Sequence, residues 1–364
     1  MKVKVSVIIP VYNSEKSIRK CLDSVLAQTL NEIEIICVDD GATDSSPQIL
    51  EEYAQKDARV RVIHQENAGA GAARNLGLRM ARGEYLSILD ADDFFEPEML
   101  ALSYQKAKDT NSDIVVFSCN IFDDRLGRFR PCDYSIRQYL LPDKEPFCSF
   151  DVKRNVFRLF IGWAWDKLFC TEFIQENGFT FQEQRTTNDM FFVFSAIMKA
   201  QRITTMPQVL AHYRQSEGSL SVTREKSWQC FYEALYALRE QLKQWGMYER
   251  FERDFINYAL NFSLWNLNTL SEPTHTILFE KLRDEWFADL GISGRPEQYF
   301  YNKDEYRQYQ NIMNSAGENH LDGAVYKDTR GNVLRRGWIC LRDNGFEYTV
   351  RLCAKKIRKS FYRE

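Results

Sequence analysis

Short β-branched runs alternate with amphipathic segments of helical length over the first third of the chain, and this alternation limits the possible folds more than any other feature. The segments between the runs place apolar residues three and four positions apart, as in Ile18, Leu22 and Val25. Strands that alternate with helices form a mostly parallel sheet with helices on both faces, so an α/β fold is predicted. The runs that predict strands are Val5–Ile9, Ile33–Val38, Val60–Ile63, Tyr85–Leu89 and Asp113–Ser118.

The composition is typical of an ordinary globular chain. Hydrophobic residues make up 44% of the 364 residues and charged residues 27%, which excludes intrinsic disorder and collagen-like or coiled-coil arrays. At about 150 residues per domain, the length predicts two domains or one enlarged domain. The 48 Lys and Arg residues against 51 Asp and Glu residues leave a net charge of -3, so nucleic acid is not an expected partner.

Cysteine usage and hydropathy bear on the compartment. The nine cysteines are odd in number and include no Cys-x-x-Cys pair, so they predict reduced, cytoplasmic thiols rather than a disulfide framework or a zinc ribbon. The apolar run near the N-terminus is broken by Ser6 and Pro10 and is too short for a signal peptide. The sequence contains no run of about 18 apolar residues, so no membrane-spanning helix is predicted. We therefore expect a cytoplasmic protein.

The periodicity changes along the chain and predicts its domains. We expect one domain over residues 1–221, with halves at 1–118 and 119–221, and a mainly helical region over 222–350. The tail over 351–364 holds six basic residues and one acidic residue. Apolar residues lie between these basic residues, so the tail predicts peripheral contact with the anionic inner face of the cytoplasmic membrane. A solvated helix face is the alternative.

Carboxylates gather where two predicted strands end. Asp90 and Asp92 follow the fourth strand, and alternation puts their side chains on the same side of an extended chain. Mg²⁺ or Mn²⁺ would relieve their repulsion and bind a diphosphate; a solvated acidic turn before Pro97 is the alternative. Asp39 follows the second strand and could accept a hydrogen bond from a base or a ribose, although Asp39-Asp40-Gly41 alone favours a plain turn.

A loop of small residues opens the third predicted helix. Gly69 and Gly71 match the first two glycines of a dinucleotide-binding fingerprint, and Arg74 takes the place of the third. That third glycine permits close packing of helix on strand, which a guanidinium prevents. The loop therefore argues against a nicotinamide-dependent dehydrogenase, and Arg74 is instead a candidate phosphate contact.

Four sequence motifs lie in order along the first half of the domain. They are Val7–Asn13 (VIIPVYN), Val38–Ser45 (VDDGATDS), Ala73–Gly77 (ARNLG) and Gly83–Asp93 (GEYLSILDADD). In this order and spacing they resemble the family 2 glycosyltransferases of the GT-A fold. The resemblance is strong over residues 3–120, moderate over 160–221 and slight in the helical C-terminal third.

This resemblance implies a fold and an activity. The implied fold is the GT-A nucleotide-diphospho-sugar transferase fold, a mostly parallel twisted sheet with flanking helices, here with a helical C-terminal extension. The implied activity is inverting, metal-dependent transfer of a sugar from a nucleotide-diphosphate donor to a hydroxyl of a glycan or lipid-linked acceptor, in surface polysaccharide synthesis. Uridine is the expected base, and Mn²⁺ or Mg²⁺ the expected cofactor.

The resemblance also implies roles for residues at matching positions on the donor side. Asp39 would contact the base, and Arg74 would reach the ribose or the diphosphate. Asp90 would lie near the ribose and the metal, and Asp92 would ligate the metal. His212 matches a histidine that approaches the metal in some relatives; a structural histidine is the alternative. The residues that would line the nucleotide pocket are Pro10, Tyr12 and Glu15.

On the acceptor side, the resemblance implies that Asp189 is the general base, because the family's Glu-Asp pair corresponds here to Asn188-Asp189. The lost glutamate removes a carboxylate that would tune the pKa of Asp189, and a helix N-cap is the alternative role for Asp189. Trp165 and Lys167 would bind the acceptor. Trp163 and Trp165 could stack on a sugar face, with core packing as the equal alternative.

Other functions are compatible with parts of this pattern. A sugar-nucleotide pyrophosphorylase also binds a diphosphate on an α/β sheet, but its first strand should lead into a glycine-rich loop, which Pro10–Asn13 is not. A non-catalytic sugar-nucleotide-binding scaffold would be expected to lose carboxylates such as Asp92 and Asp189, which are present. If Asp189 is not the base, Asp166 is the first alternative.

Overall fold

The computed structural model of the chain describes residues 2–215 and 225–315. The chain divides into two compact units, the first ending at Tyr248 and the second beginning at Glu249. The predicted domain boundary at residue 221 falls between the described ranges and stays a prediction, and the basic tail over 351–364 lies outside them. Within the described ranges, no helix is both long enough and apolar enough to cross a membrane.

Nine strands in the described part of the first unit form one sheet. They are β1 (Val5–Val11), β2 (Ile33–Asp39), β3 (Val60–His64), β4 (Tyr85–Ile88), β5 (Phe94–Phe95), β6 (Ile114–Asp123), β7 (Arg128–Pro131), β8 (Lys167–Cys170) and β9 (Ile203–Gln215). The order is β3-β2-β1-β4-β8-β6-β9-β5, with β7 paired to β6. Strands β3, β2, β1 and β4 are parallel, whereas β8 is antiparallel to both β4 and β6. The predicted α/β sheet is confirmed.

Helices flank this sheet and make up the regular structure in the described part of the second unit. The first unit contains α1 (Ile18–Leu26), α2 (Ser46–Lys56), α3 (Ala70–Met80), α4 (Met99–Thr110), α5 (Val156–Leu159), α6 (Thr171–Glu176), α7 (Asn188–Lys199) and α8 (Cys230–Gln244), with a 3-10 turn at Ser149–Asp151. There follow α9 (Tyr248–Leu267), α10 (Thr274–Lys281), α11 (Phe287–Asp289) and α12 (Lys303–Asn314), with a π-helical turn at Leu282–Trp286 and a 3-10 turn at Glu297–Tyr299. The predicted helical C-terminal region is confirmed for its described residues.

The centre of the sheet is fully buried, as expected for parallel strands covered on both faces. All seven residues of β1 and all seven of β2 are buried. Helix α3 packs closely on β1, since a Cβ built on Gly77 would lie 2.3 Å from Ile8 Cγ2. Only glycine permits this approach, which fixes α3, and the residues that precede it, against the sheet.

The strands beyond residue 113 extend further than predicted. Strand β6 continues to Asp123 and turns into β7, with Phe122 opposite Phe129 in an antiparallel ladder. The sequence predicted an extended connection or short antiparallel strands there, and the structure shows the strands. Cross-strand aromatic pairing stabilises such a hairpin, and the Phe122 and Phe129 ring centroids are 5.1 Å apart.

Candidate active site

Three loops meet at the carboxyl ends of β1, β2 and β4. The register pairs Val11 with Asp39 and Ile8 with Ile88, so the segments that follow these strands leave the sheet at one edge. Pro10 is buried in β1 just before this edge. Open α/β sheets bind ligands where parallel strands end, and the residues predicted for the donor side lie here. We call this region the donor edge.

The loops after β1 and β2 are joined by side-chain hydrogen bonds. Asn13 Oδ1 accepts from the Thr43 N–H at 2.8 Å, and Glu15 Oε2 accepts from the Ser45 N–H at 3.1 Å. Glu15, predicted to line the nucleotide pocket, therefore holds the second loop in place. Tyr12 lies between the strand and these contacts and is 50% exposed, so its ring is accessible to a planar base.

Asp39 is 4% exposed and its carboxylate is held on two sides. Oδ1 accepts from the Ala42 N–H at 2.9 Å, and Oδ2 lies 2.8 Å from Nδ1 of His64. These contacts fix the direction of the carboxylate at the donor edge. The remaining lone pairs can accept a hydrogen bond from a ligand, which is what the predicted base contact requires.

The neighbouring Asp40 orders the glycine loop. Its Oδ1 accepts from the Gln65 side-chain amide at 2.7 Å and from the Ala68 N–H at 2.8 Å, and its Oδ2 accepts from the Gly69 N–H at 2.8 Å. Gly69 has a φ of 91°, which glycine adopts without strain. Asp40 is marked in the sequence only by its place beside Asp39, so no separate role was predicted for it.

Arg74 joins the two sequence halves of the first unit. Its side chain is 8% exposed; Nη2 donates to Asp90 Oδ1 at 2.5 Å, and Nη1 donates to Asn188 Oδ1 at 2.6 Å. Nε has no hydrogen-bond partner among the described residues. Because Asn188 is the first residue of α7, the guanidinium links the donor edge to the helix that carries Asp189.

A group of carboxylates occupies the loop after β4. Asp90, Asp92 and Asp93 each offer an oxygen within 4.8 Å of the others. Burial, and then the charge of Asp90, raises the pKa of Asp92 to about 6. Asp93 Oδ1 accepts from the Arg214 N–H at 2.8 Å, whereas its buried Oδ2 has no partner among the described residues. Crowded oxygens, one of them unpartnered, fit a hard divalent cation.

Asp189 lies in the first turn of α7 and is partly exposed. Burial raises the pKa of its carboxyl to about 6, the charge of Arg74 opposes this shift, and the charge of Asp90 adds to it. Among the contacts described for α7, no side-chain cap hydrogen bond is present at its N-terminus, where Thr187 is the capping residue. A carboxylate with this pKa is ionised at neutral pH and can accept a proton.

His212 does not join the carboxylate group. Its Nδ1 lies 2.6 Å from Asn120 Oδ1 and its Nε2 lies 2.8 Å from Glu96 Oε1, so both ring nitrogens are engaged. Burial lowers the pKa of the ring, and the ring of Phe94 is tilted against it at 4.7 Å between centroids. In this structure His212 holds β9 against neighbouring segments, and its role as a metal ligand stays a prediction.

Lys167 and Trp165 also lie inside the protein rather than at an acceptor surface. Lys167 is 0% exposed, and its ammonium donates to Asp166 Oδ1 at 2.5 Å, to the Trp163 carbonyl at 2.7 Å and to the Ile161 carbonyl at 3.0 Å. All three ammonium hydrogens are thus used within the fold. Asp166, the alternative base, is 0% exposed as well. Lys167 and Asp166 thus form a buried ion pair in this structure, and their roles in acceptor binding and catalysis stay predictions.

We call the segment Trp163–Lys167, which was predicted to bind the acceptor, the acceptor region. Its two tryptophans stack with Tyr213, and the outer rings, Trp163 and Tyr213, are half-buried. Trp165 is 2% exposed and lies between Trp163, at 4.8 Å, and Tyr213, at 6.0 Å between centroids. Trp163 is half-buried, and Tyr134 near its edge is 42% exposed. Direct stacking of Trp165 on an acceptor is therefore excluded by its burial, and Trp163 is the better placed of the two tryptophans.

Comparisons with known proteins agree on one family. The family model described as "Glycosyl transferase family 2" matches residues 6–161. The chain is 35% identical over 289 residues to a putative glycosyltransferase, EpsH, of Bacillus subtilis (strain 168), covering 77% of this chain and 81% of that protein. It is 30% identical to a poly(ribitol-phosphate) beta-glucosyltransferase of Bacillus spizizenii (strain ATCC 23059 / NRRL B-14472 / W23), covering 81% of this chain and 46% of that protein.

A solved structure shares the fold. The crystal structure of S. aureus TarS 1-349 in complex with UDP-GlcNAc has a TM-score of 0.55 to this chain, at 22% identity, and covers 84% of this chain and 92% of that one. At this identity the likeness shows the fold alone. The predicted GT-A fold class is confirmed.

Proposed function

We propose that this chain, which belongs to the family 2 glycosyltransferases, moves a sugar from a UDP-sugar to a hydroxyl of an acceptor. The acceptor is a glycan or is lipid-linked, and the reaction takes part in surface polysaccharide synthesis. The observation that carries the proposal is the bridge made by Arg74. On one side it contacts Asp90, in the carboxylate group of the donor edge, and on the other it holds the residue beside Asp189. The carboxylates proposed to hold the diphosphate through a cation and the proposed base thus lie on either side of one guanidinium.

The carboxylates of the donor edge suit a sugar-nucleotide diphosphate through a divalent cation. Asp92 and Asp90 would hold Mn²⁺ or Mg²⁺, which would neutralise charge that builds on the departing diphosphate. Arg74, with its buried and unpartnered Nε, would contact the ribose or the diphosphate as well. Both kinds of contact stabilise the leaving group in preference to the intact donor.

Asp189 would deprotonate the acceptor hydroxyl as it attacks the anomeric carbon. With a pKa raised to about 6, the carboxylate is ionised at neutral pH yet more basic than an ordinary aspartate. Attack from the face opposite the leaving diphosphate gives inversion in one displacement. Asn188 places no second charge beside Asp189, so the charges that act on the pKa of Asp189 are those of Arg74 and Lys167, which lower it, and of Asp90, which raises it.

Uridine is the proposed base. Tyr12 offers an accessible ring for stacking, and Asp39 offers a fixed carboxylate that can accept from the imide N–H of uracil. TarS, which shares the fold, has been crystallised with UDP-GlcNAc. We propose that Tyr12 and Asp39 bind the base in this chain, with Pro10 and Glu15 shaping the loop around it.

Release of nucleoside diphosphate tests the proposed activity. The full chain is incubated with a panel of UDP-sugars and GDP-sugars, with Mn²⁺, with Mg²⁺, or with EDTA. We expect UDP release from at least one UDP-sugar, in the presence of metal only, with acceleration by a glycan or lipid-linked acceptor and an inverted anomeric configuration in the product. Release of GDP in preference to UDP, or equal rates in EDTA, would contradict the proposed donor or the proposed cofactor respectively.

The proposed location is cytoplasmic, with the basic tail over 351–364 bringing the enzyme to the anionic inner face of the membrane, where lipid-linked acceptors lie. Each basic residue near such a surface contributes about 1 kcal/mol, less at high salt. Liposome flotation with anionic and with neutral lipid, on the full chain and on a chain that ends before Arg351, tests this. We expect flotation only for the full chain on anionic lipid; equal flotation in all four conditions contradicts it.

A further inference from the structure

A histidine lies beside the carboxylate that we assign to base recognition. Parallel strands β2 and β3 pair Asp39 with His64, which places the two side chains next to each other at the donor edge. His64 Nδ1 is 2.8 Å from Asp39 Oδ2, and His64 Nε2 is 3.0 Å from Glu51 Oε1 on α2. The ring therefore bridges the two carboxylates.

The bridge is asymmetric in its burial. The side chain of Asp39 is 6% exposed, whereas those of His64 and Glu51 are 52% and 50% exposed. The buried carboxylate is thus reached by a ring whose other side faces solvent. Only the imidazolium form can donate to both carboxylates at once, since a neutral histidine carries a single N–H. Hydrogen bonds to Asp39 and then Glu51 raise the pKa of His64 above its ordinary value.

Both oxygens of Asp39 have one fixed partner each. The Ala42 N–H holds Oδ1 and His64 holds Oδ2, so the carboxylate cannot rotate without losing one of the two contacts. The Ala42 contact is local, three residues along the chain, and would survive a change at position 64. His64 is therefore the contact on which the direction of the Oδ2 lone pairs depends.

We propose that His64 is a positioning residue for base recognition, which orients Asp39 so that the site accepts a base edge with an N–H and rejects one without. This inference rests on the proposed contact of Asp39 with the base. Uracil presents N3–H at that edge, and cytosine presents an unprotonated N3 that repels a carboxylate. His64 thereby sets the preference for UDP over CDP without touching either nucleotide.

The test measures the dissociation constants of UDP and CDP by calorimetry with Mn²⁺ for the wild type, for three histidine variants and for Asp39→Ala. His64→Ala is expected to weaken UDP binding about tenfold, the effect of losing one hydrogen bond to a charged group, and to change CDP binding less than about twofold. His64→Asn keeps an amide donor close to the position of Nδ1 and should retain most of the preference. His275→Ala removes another histidine paired with a carboxylate, Glu272, and serves as the matched control.

A pH profile adds a reading that a purely structural role would not produce. The charged groups described as facing the ring are Asp39 from β2 and Glu51 from α2. Loss of the second ring proton removes one of two donors, so UDP affinity of the wild type should fall as the pH rises through the raised pKa of His64. His64→Ala should show no such fall between about pH 6 and 8.5, and Glu51→Gln should move the fall to lower pH.

The outcomes separate this inference from the proposed function. If the wild type prefers UDP and Asp39→Ala abolishes the preference, the base contact stands; an unchanged UDP to CDP ratio in His64→Ala then overturns the role of His64 alone. If the wild type shows no preference, or Asp39→Ala keeps it, the base contact fails and the inference fails with it. Should His64→Ala not fold, as judged by circular dichroism, His64→Asn and Glu51→Gln decide through the pH profile.

Discussion

The donor edge and the acceptor region of the first unit hold their charged side chains in opposite ways. At the donor edge, carboxylates follow parallel strands, and Asp90 stays within reach of solvent with 31% of its side chain exposed, whereas Asp39 is buried. In the acceptor region, the side chains of Asp166 and Lys167 are both 0% exposed and form an ion pair, while Asp166 Oδ2 has no partner among the described residues. The charge of Asp90 at the end of a parallel strand is therefore available to a ligand, whereas the charges of Asp166 and Lys167 are enclosed by the fold.

Replacing Asp92 tests whether the donor-edge carboxylates bind a ligand, and it has the largest expected effect. Asp92→Ala removes an oxygen ligand from the proposed cation and leaves the diphosphate without a bridge. We expect turnover to fall by about 10³ or more, because such a cation contributes several kcal/mol to the transition state. Calorimetry with UDP should show no dependence on Mn²⁺.

The matched control for Asp92 is an exposed aspartate on a helix. Asp109→Ala, on α4, loses a hydrogen bond from Gln105 and should leave both binding and turnover unchanged. Unchanged metal-dependent binding of UDP by Asp92→Ala would show that the donor-edge carboxylates do not hold the cation, and would remove the contrast between the two regions.

Asp189 joins the two regions, and its replacement should separate binding from chemistry. Asp189→Asn is nearly isosteric and keeps the Arg74 bridge to Asn188, so the dissociation constant of the donor should stay within about twofold. Turnover should fall by roughly 10² to 10⁴, the range for a positioned general base. The measurement is steady-state kinetics of UDP release with saturating donor and acceptor.

The pH dependence of the wild type gives the same assignment a second check. Burial raises the pKa of Asp189 to about 6, and only the ionised carboxylate can accept a proton. The rate should therefore rise with pH through about 6 and be flat above it, and this rise should be absent in Asp189→Asn. A full rate in Asp189→Asn would move the base to another group.

Substitutions in the buried pair Asp166 and Lys167 should change the stability of the protein rather than its catalysis. Lys167→Ala leaves Asp166 charged and unpaired inside the protein, and the free energy of unfolding should fall by about 3–5 kcal/mol. Replacing both partners with apolar residues, in Asp166→Leu with Lys167→Met, should cost much less. Denaturant unfolding followed by circular dichroism measures both.

Kinetics on the same variants can contradict this role. If Lys167 bound the acceptor, the double variant would raise the KM for the acceptor even where it is fully folded. We expect an unchanged KM below the melting temperature. A large rise in that KM would show that Lys167 binds the acceptor. The contrast between ligand-binding charge at the donor edge and structural charge in the acceptor region would then be weaker.

The donor edge could be predicted from sequence because its geometry follows from local order. Asp39 and Asp90 come directly after strands that are visible as apolar runs, and parallel strands bring such positions together. Arg74 was predicted to contact the donor, but its bond to Asn188 joins residues 114 positions apart. No spacing in the sequence encodes that contact, since it depends on where α7 packs.

The contacts in and near the acceptor region could not be predicted, because they too join residues that are far apart in the sequence. His212 is engaged by Glu96, 116 positions away, and by Asn120, so its surroundings follow from the pairing of β9 with β5 and β6. Lys167 was predicted to bind the acceptor from the resemblance alone, and lysines are rarely buried unless they are paired. Its neighbour Asp166 and two nearby carbonyls make the burial of Lys167 possible. The only local sequence signal of this burial was a Lys beside an Asp.

The smallest effect is expected for two neighbouring tryptophans. Replacing each in turn shows which of them lies at the edge of the acceptor region. Trp163 is half-buried and stacks on the buried Trp165 at 4.8 Å, so only Trp163 can add a face to a bound sugar. Stacking contributes about 1 kcal/mol, so Trp163→Ala should raise the KM for the acceptor about fivefold with turnover at saturation unchanged. Trp165→Phe should lower the melting temperature and leave that KM unchanged. The reverse pattern, with the KM responding to Trp165 and not to Trp163, would place the acceptor on the other side of the stack.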